Sequence, residues 1–151
     1  MRTALFLSSA ALICLSACGD SFSYDGNSYF PEDWASTYVK KTDCKESATH
    51  SGDYVIVHTS PDASDAYSDR AGAMPVGAVI LKEQFADSGC SDFTAITAMK
   101  KLEDGASATH GDYDWQRVEA DGSIALEGAQ STCSGCHSSS PCSDFLCEPQ
   151  P

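Results

Sequence analysis

The sequence predicts an α+β fold, an antiparallel β-sheet with a few short helices, on three observations. Tyr54-Val55-Ile56-Val57-His58-Thr59 is a β-branched and aromatic run closed by Ser60-Pro61-Asp62, the composition of a strand with a proline stop. Val76-Gly77-Ala78-Val79-Ile80-Leu81-Lys82-Glu83 is apolar on both alternating faces until its end, as a strand covered on two sides must be. Tyr113 to Glu119 and Ile124 to Leu126 flank Ala120-Asp121-Gly122-Ser123, and Asp-Gly between two strand-like runs is the strongest local hairpin signal.

In chain order, residues 1–17 read as an export signal: Met-Arg, then the short apolar run TALFLSSAALICLSA. That run is too short to cross a bilayer, which takes about 20 apolar residues. Leu15-Ser16-Ala17-Cys18 resembles a bacterial lipobox, so cleavage before Cys18 would leave it as a lipid-modified first residue; an ordinary signal cut elsewhere is the alternative. The expected location is therefore the periplasm or cell surface, with a lipid anchor to a bacterial membrane through Cys18. Residues 18–29, rich in Ser, Asp, Gly and Tyr, suit a tether, and residues 30–151 suit one folded domain.

Within that domain, Asp33 to Lys41 is expected to form a short helix with Trp34 and Tyr38 inward, and DASDAYSDRAGAMP a helix with a Gly72 stop. Phe93 to Leu102 carries Ile96, Met99 and Leu102, a spacing that fits helix or strand. In HGDYDW, Tyr113 and Trp115 are expected to pack on one strand face and His110 to start a turn. The formal net charge of −13 excludes nucleic acid as an electrostatic partner and opposes anionic lipid headgroups.

The eight cysteines divide by context. Cys14 leaves with the signal and Cys18 takes lipid. Cys133-Ser134-Gly135-Cys136-His137 reads as a c-type haem attachment site, with two thiols for the vinyl groups and an imidazole for the iron. In an exported chain Cys44, Cys90, Cys142 and Cys147 are most simply two disulfides. Of three connectivities, Cys142–Cys147 as a local loop and Cys44–Cys90 as a long-range tie are favoured. The rival is a zinc site of Cys133, Cys136, Cys142 and Cys147.

Small electron-transfer cytochromes usually carry this motif early and take a methionine from downstream as the iron's second axial ligand. No methionine follows His137 here. Upstream, Met74, Met99, His50, His58 and His110 are candidates, the methionines otherwise serving as core filler and the histidines as exposed polar residues. An open or water-filled position follows as the expectation.

The segments FPEDW, YVIVHTSPDA, MPVGAVILKEQF, TAMKK, HGDYDW, ADGS and CSGCH, in this order and spacing, resemble the cytochrome P-460 family and its relatives, the beta-type cytochromes c′. The resemblance covers most of the domain. It implies a largely antiparallel-sheet protein, commonly a homodimer, with one covalent haem c per chain near the C-terminus, bound by Cys133 and Cys136. His137 is then the proximal iron ligand, and the sheet roofs the other face.

Lys82 falls on the lysine that is bonded to the porphyrin in the hydroxylamine-oxidising members, so the resemblance implies a haem cross-link and a catalytic role there. It shares a strand face with Ala78 and Ile80, which would lay its stem on apolar surface; the bland alternative is a solvated lysine pairing with Glu83 or Glu103. Two departures stand out. The family's carboxylate above the iron maps near Ile96 or Thr97, and a distal arginine maps to Val55. Glu83, Glu103 or His110 would have to replace the base.

The resulting expectation is a haem protein that binds hydroxylamine or nitric oxide, with an oxidoreductase activity toward them and a periplasmic electron-transfer cytochrome as partner. The alternatives are a non-catalytic nitric oxide or carbon monoxide binder, and a plain electron-transfer cytochrome ligated by Met74 or Met99.

Overall fold

The computed structural model describes residues 27–47, 50, 53–70, 73–139 and 142–147. The export signal, Cys14, Cys18, most of the tether and Gly72 lie outside the described residues.

Seven strands form one antiparallel sheet: β1 (Val39–Lys40), β2 (Lys45–Glu46), β3 (Tyr54–Thr59), β4 (Val79–Phe85), β5 (Phe93–Lys101), β6 (Tyr113–Glu119) and β7 (Ile124–Gly128). The order is β1-β3-β4-β5-β6-β7, with β2 also paired to β3. Among the described residues three short α-helices accompany it: α1 (Trp34–Thr37), α2 (Ser64–Asp69) and α3 (Ser131–His137). This is the antiparallel sheet with few helices that the alternating patterns predict.

Register decides which side chains share a face, because directly paired residues of neighbouring strands point the same way. Val57, Lys82, Thr97, Arg117 and Leu126 make one cross-strand row, and Thr59, Ile80, Met99 and Trp115 the next row on that face. Val57, Ile80, Met99, Tyr113 and Trp115 pack there with Met74, Ala78 and Leu146. The other face gathers Val79, Leu81, Ile96, Ala98 and Val118 under Phe30 and Trp34. Strand β4 is thus buried on both sides, as its unbroken apolar run requires.

The segment before α1 is strapped to this second face by polar contacts as well. The buried Gln116 side chain accepts from Tyr29 N–H at 2.9 Å and donates to the Asn27 carbonyl at 3.0 Å. The Tyr29 hydroxyl accepts from Gly128 N–H at 3.0 Å. Among the described residues two disulfides are present, Cys44–Cys90 and Cys142–Cys147, the pairing the spacing favours.

Several boundaries differ from the sequence reading. The helix expected over Asp33 to Lys41 stops at Thr37, because Val39 and Lys40 pair with Thr59 and His58 as β1. The strand expected from Val76 begins at Val79, since Gly77 takes a φ of 86° in a turn closed by Ala78 N–H on the Pro75 carbonyl. Val76 is left exposed. Phe93 to Lys101 is a strand, its ladder filled on both sides by β4 and β6. After Pro61 a 3-10 turn, Pro61–Ala63, leads into α2, which ends where Arg70 turns left-handed at φ 52°.

Candidate functional site

Helix α3 carries Cys133, Cys136 and His137 against the first face of the sheet. Positions three and four apart on a helix lie on one side, so Cys136 and His137 both neighbour Cys133 one turn below. Cys133 packs against the apolar group of Ile80, Met99, Trp115 and Leu146, while Cys136 is exposed. Both thiols are free, whereas the other four described cysteines are paired. A four-thiolate zinc site is thereby overturned: Cys142 and Cys147 are bonded to each other. Burial, then the neighbouring Cys136, raises the thiol pKa of Cys133.

The imidazole of His137 is partly buried, its ring edge-on to Trp115 with centroids 4.8 Å apart. Its Nδ1 donates to the Phe145 carbonyl at 2.7 Å. In the neutral ring this fixes the proton on Nδ1 and leaves the lone pair on Nε2, the arrangement that orients a metal-binding histidine. Burial lowers the His137 pKa; the Phe145 carbonyl acts against that, and Lys82 adds to it.

What holds Phe145 in place is a short loop closed by Cys142–Cys147 and by the Ser143–Leu146 bridge. Asp144 and Phe145 both take positive φ, 43° and 61°. The Asp144 carboxylate accepts from Met74 N–H at 2.7 Å, Lys101 Nζ at 3.0 Å and the Tyr113 hydroxyl at 3.2 Å. Lys101, buried, also donates to the Gly111 carbonyl at 2.9 Å. The Phe145 ring lies over Gly111, whose φ is 69° and where a Cβ would overlap that ring. Burial, helped by Asp144, pushes the Tyr113 pKa far up, so its hydroxyl stays protonated and donates.

Across from His137 stand Lys82 and His50. Lys82 is partly buried on the first face, and burial, followed by the charge of Lys45, brings its pKa down to about 8. Its Nζ lies 3.3 Å from His50 Nδ1, and the Ser47 hydroxyl lies 3.1 Å from the same nitrogen. The His50 and His137 rings are 6.2 Å apart at their centroids. Burial, then Lys82 and His137, lowers the His50 pKa to about 4.

Other candidates are placed elsewhere. His58 and Glu83 face the opposite side of the sheet and bond to each other at 2.7 Å beside Trp34. Glu83 therefore does not stand with Lys82, and Glu103 is exposed. His110 ends a 3-10 turn with Nε2 3.4 Å from the Ser131 hydroxyl. Met74 and Met99 are core residues.

Sequence reasoning missed Asp144 and Phe145, which no periodicity marks, and Arg117, which bonds Glu119 at 2.6 Å and Gln84 on the face of Lys82. The alternation of Tyr113, Trp115 and Arg117 was the available signal for the last. Among the described residues Trp115 Nε1 and Thr59 Oγ1 are buried without a hydrogen-bond partner, and no group of three or more His, Cys, Asp or Glu is gathered to hold a bare metal ion. Compared with known proteins, the chain matches no protein-family model and no curated protein.

Proposed function

We propose that this protein is an exported, lipid-anchored c-type haem protein of the cytochrome P-460 type, which binds small nitrogen ligands such as nitric oxide or hydroxylamine at the haem iron. The observation that carries this reading is the Nδ1–H bond from His137 to Phe145, in a helix whose two cysteines stay unpaired beside two disulfides. A ligand histidine needs a fixed tautomer, and thioether attachment needs free thiols one helical turn apart. The unpartnered Trp115 Nε1 beside His137 supports a missing polar neighbour there.

Cys133 and Cys136 would hold one haem c, and His137 would be the proximal ligand. Haem supplies a redox-active iron that can take up a diatomic or hydroxylamine. Lys82 would bring its amine to the ring edge from an apolar bed, as a cross-link or as a polar contact. Proton removal from hydroxylamine needs a base within hydrogen-bond reach; with Glu83 turned to the other face, uptake of nitric oxide is the better supported half of the reading. Met74 and Met99, the ligands of a plain electron carrier, sit in the core and add little to that alternative. The charge of −13 suits docking to a basic periplasmic electron-transfer cytochrome.

The test is expression in cells equipped for cytochrome maturation. The expected product is coloured, keeps its haem through acidified organic extraction, and loses it when Cys133 and Cys136 are both changed to Ser. A colourless, fully processed chain would end the reading. For Lys82, tryptic digestion of the loaded protein decides: a haem-bearing peptide containing Lys82 supports the cross-link, and its release free of haem removes it.

A further inference from the structure

Two lysines without an acidic partner stand at one end of the first face. We propose that Lys45 binds a propionate carboxylate of the haem, so that this end of the face receives the acidic edge of the ring. The inference rests on haem attachment at Cys133 and Cys136 and specifies which way round the ring lies.

Register supplies the placement. Lys45 pairs with Val55, and Val55 pairs with Gln84, so Lys45 shares a row and a face with Gln84. Along β4 the residues Ile80, Lys82 and Gln84 alternate onto that face. Cys133 packs beside the Ile80 end. From the Ile80 row to the Lys45 row is four residues of extended strand, about 13 Å. In haem the vinyl groups and the propionates occupy opposite edges of the ring. A ring bonded to the two cysteines at the Ile80 end therefore carries its carboxylates toward the Lys45 end.

Charge then selects Lys45. The chain holds 22 Asp and Glu against 9 Lys and Arg, so acids are in ample supply. Lys40 is paired with Asp43, Lys101 with Asp144 and Arg117 with Glu119. Among the described residues neither Lys45 nor Lys82 has a carboxylate within ion-pair distance. The acid next in sequence, Glu46, pairs with Tyr54 and faces the other side of the sheet. Lys82 has only the ring nitrogen of His50, at 3.3 Å, and its lowered pKa reflects burial first and the charge of Lys45 second. Like charges on a partly buried surface are costly without a counter-ion, and a carboxylate received there gains a charge-assisted bond. Lys45 keeps this role if the Lys82 amine is spent on a cross-link.

The other bases of this face are committed. Arg117 holds both oxygens of Glu119 and the Gln84 side chain, and Lys101 holds Asp144 and the Gly111 carbonyl.

The experiment compares the matured, haem-loaded natural protein with Lys45→Gln, Lys45→Arg and Lys40→Gln, by resonance Raman spectroscopy of the propionate-bending band and by redox titration. Lys40 serves as the control, since it lies across from His58 on the opposite face. Expected in Lys45→Gln are a shifted propionate band and a lower midpoint potential, because losing a cation beside the carboxylate favours ferric iron. Lys45→Arg should keep both near the natural values, and Lys40→Gln should move neither. An unchanged band in Lys45→Gln overturns the inference even where the potential falls, because a distant charge would then suffice. Equal changes in Lys40→Gln overturn it as well. The natural protein gives a second reading that needs no variant to fold: the band of an ion-paired carboxylate is expected, and that of a solvent-exposed one overturns the inference with haem attachment intact. A fully processed chain with no Soret band removes the haem reading itself, and this inference with it.

Discussion

His137 is held by a carbonyl eight residues further along, and that carbonyl is held by one carboxylate. Asp144 takes three donors, from Met74, Lys101 and Tyr113, and thereby fixes the backbone that presents the Phe145 oxygen. Replacing Asp144 with Asn keeps the shape but leaves Lys101 charged and buried without its counter-ion. Breaking a buried pair in this way costs about 3 kcal/mol, so Asp144→Asn should lower the urea midpoint markedly. A variant as stable as the natural protein would show that the Lys101–Asp144 contact contributes nothing. The cysteines and histidine of the motif are spelled out in the chain and needed only their spacing to be read. Asp144 and Phe145 were illegible because they act through a left-handed two-residue turn, and a turn of that kind has no period. Gly111 belongs with them: its sequence neighbourhood suggested only a turn, and the reason for glycine is the aromatic ring of Phe145 lying where a Cβ would go.

Loops and strand ends repeat that division between what alternation reveals and what a local contact decides. The β6–β7 hairpin was readable from Asp121-Gly122 and the strand patterns beside it, and Gly122 indeed takes a φ of 85°. Helix α1 was read too long because Val39 and Lys40 find a sheet edge, a tertiary partner that outweighs weak helical periodicity. The β4–β5 turn depends on Asp87, whose carboxylate accepts from Asp92 N–H at 2.7 Å, Ser91 N–H at 2.8 Å and Gly89 N–H at 3.1 Å. Those bonds, led by Asp92 and Ser91, hold the Asp87 pKa down to about 2. A carboxylate depressed by folding stabilises the fold above its unfolded pKa, and this contribution fades as pH falls from about 4 toward 2. Asp87→Asn should therefore flatten the acid limb of the thermal midpoint in that window and leave the neutral region nearly parallel. If both proteins lose stability identically below pH 4, the turn does not rely on the ionised carboxylate.

Between them, the two faces of the sheet divide labour, and under the proposed haem attachment the division has a consequence for the chain without haem. The second face, with Leu81, Ile96 and Val118 under Phe30 and Trp34, contains none of the residues proposed to hold haem, and its strap is closed by Gln116 and Tyr29. The first face holds Lys82 and the apolar bed of Cys133. The apolar run of β4 made burial on both sides legible, but not which side would carry chemistry, because Lys82 and Glu83 are adjacent in sequence and face opposite ways. With one face complete on its own, the sheet should fold without haem. A Cys133→Ser, Cys136→Ser double variant is expected to keep its β-sheet far-ultraviolet spectrum and its Cys44–Cys90 disulfide. A haem held by thioethers stays on the unfolded chain, so it raises the midpoint only through the contacts and iron ligation that it makes in the folded state alone; the double variant, which lacks them, is expected to melt lower. The comparison of melting temperatures for loaded and double-variant protein measures that difference. Were the variant unfolded at 25 °C, the second face could not be an independent core, and attachment of haem would have to be counted as part of folding itself.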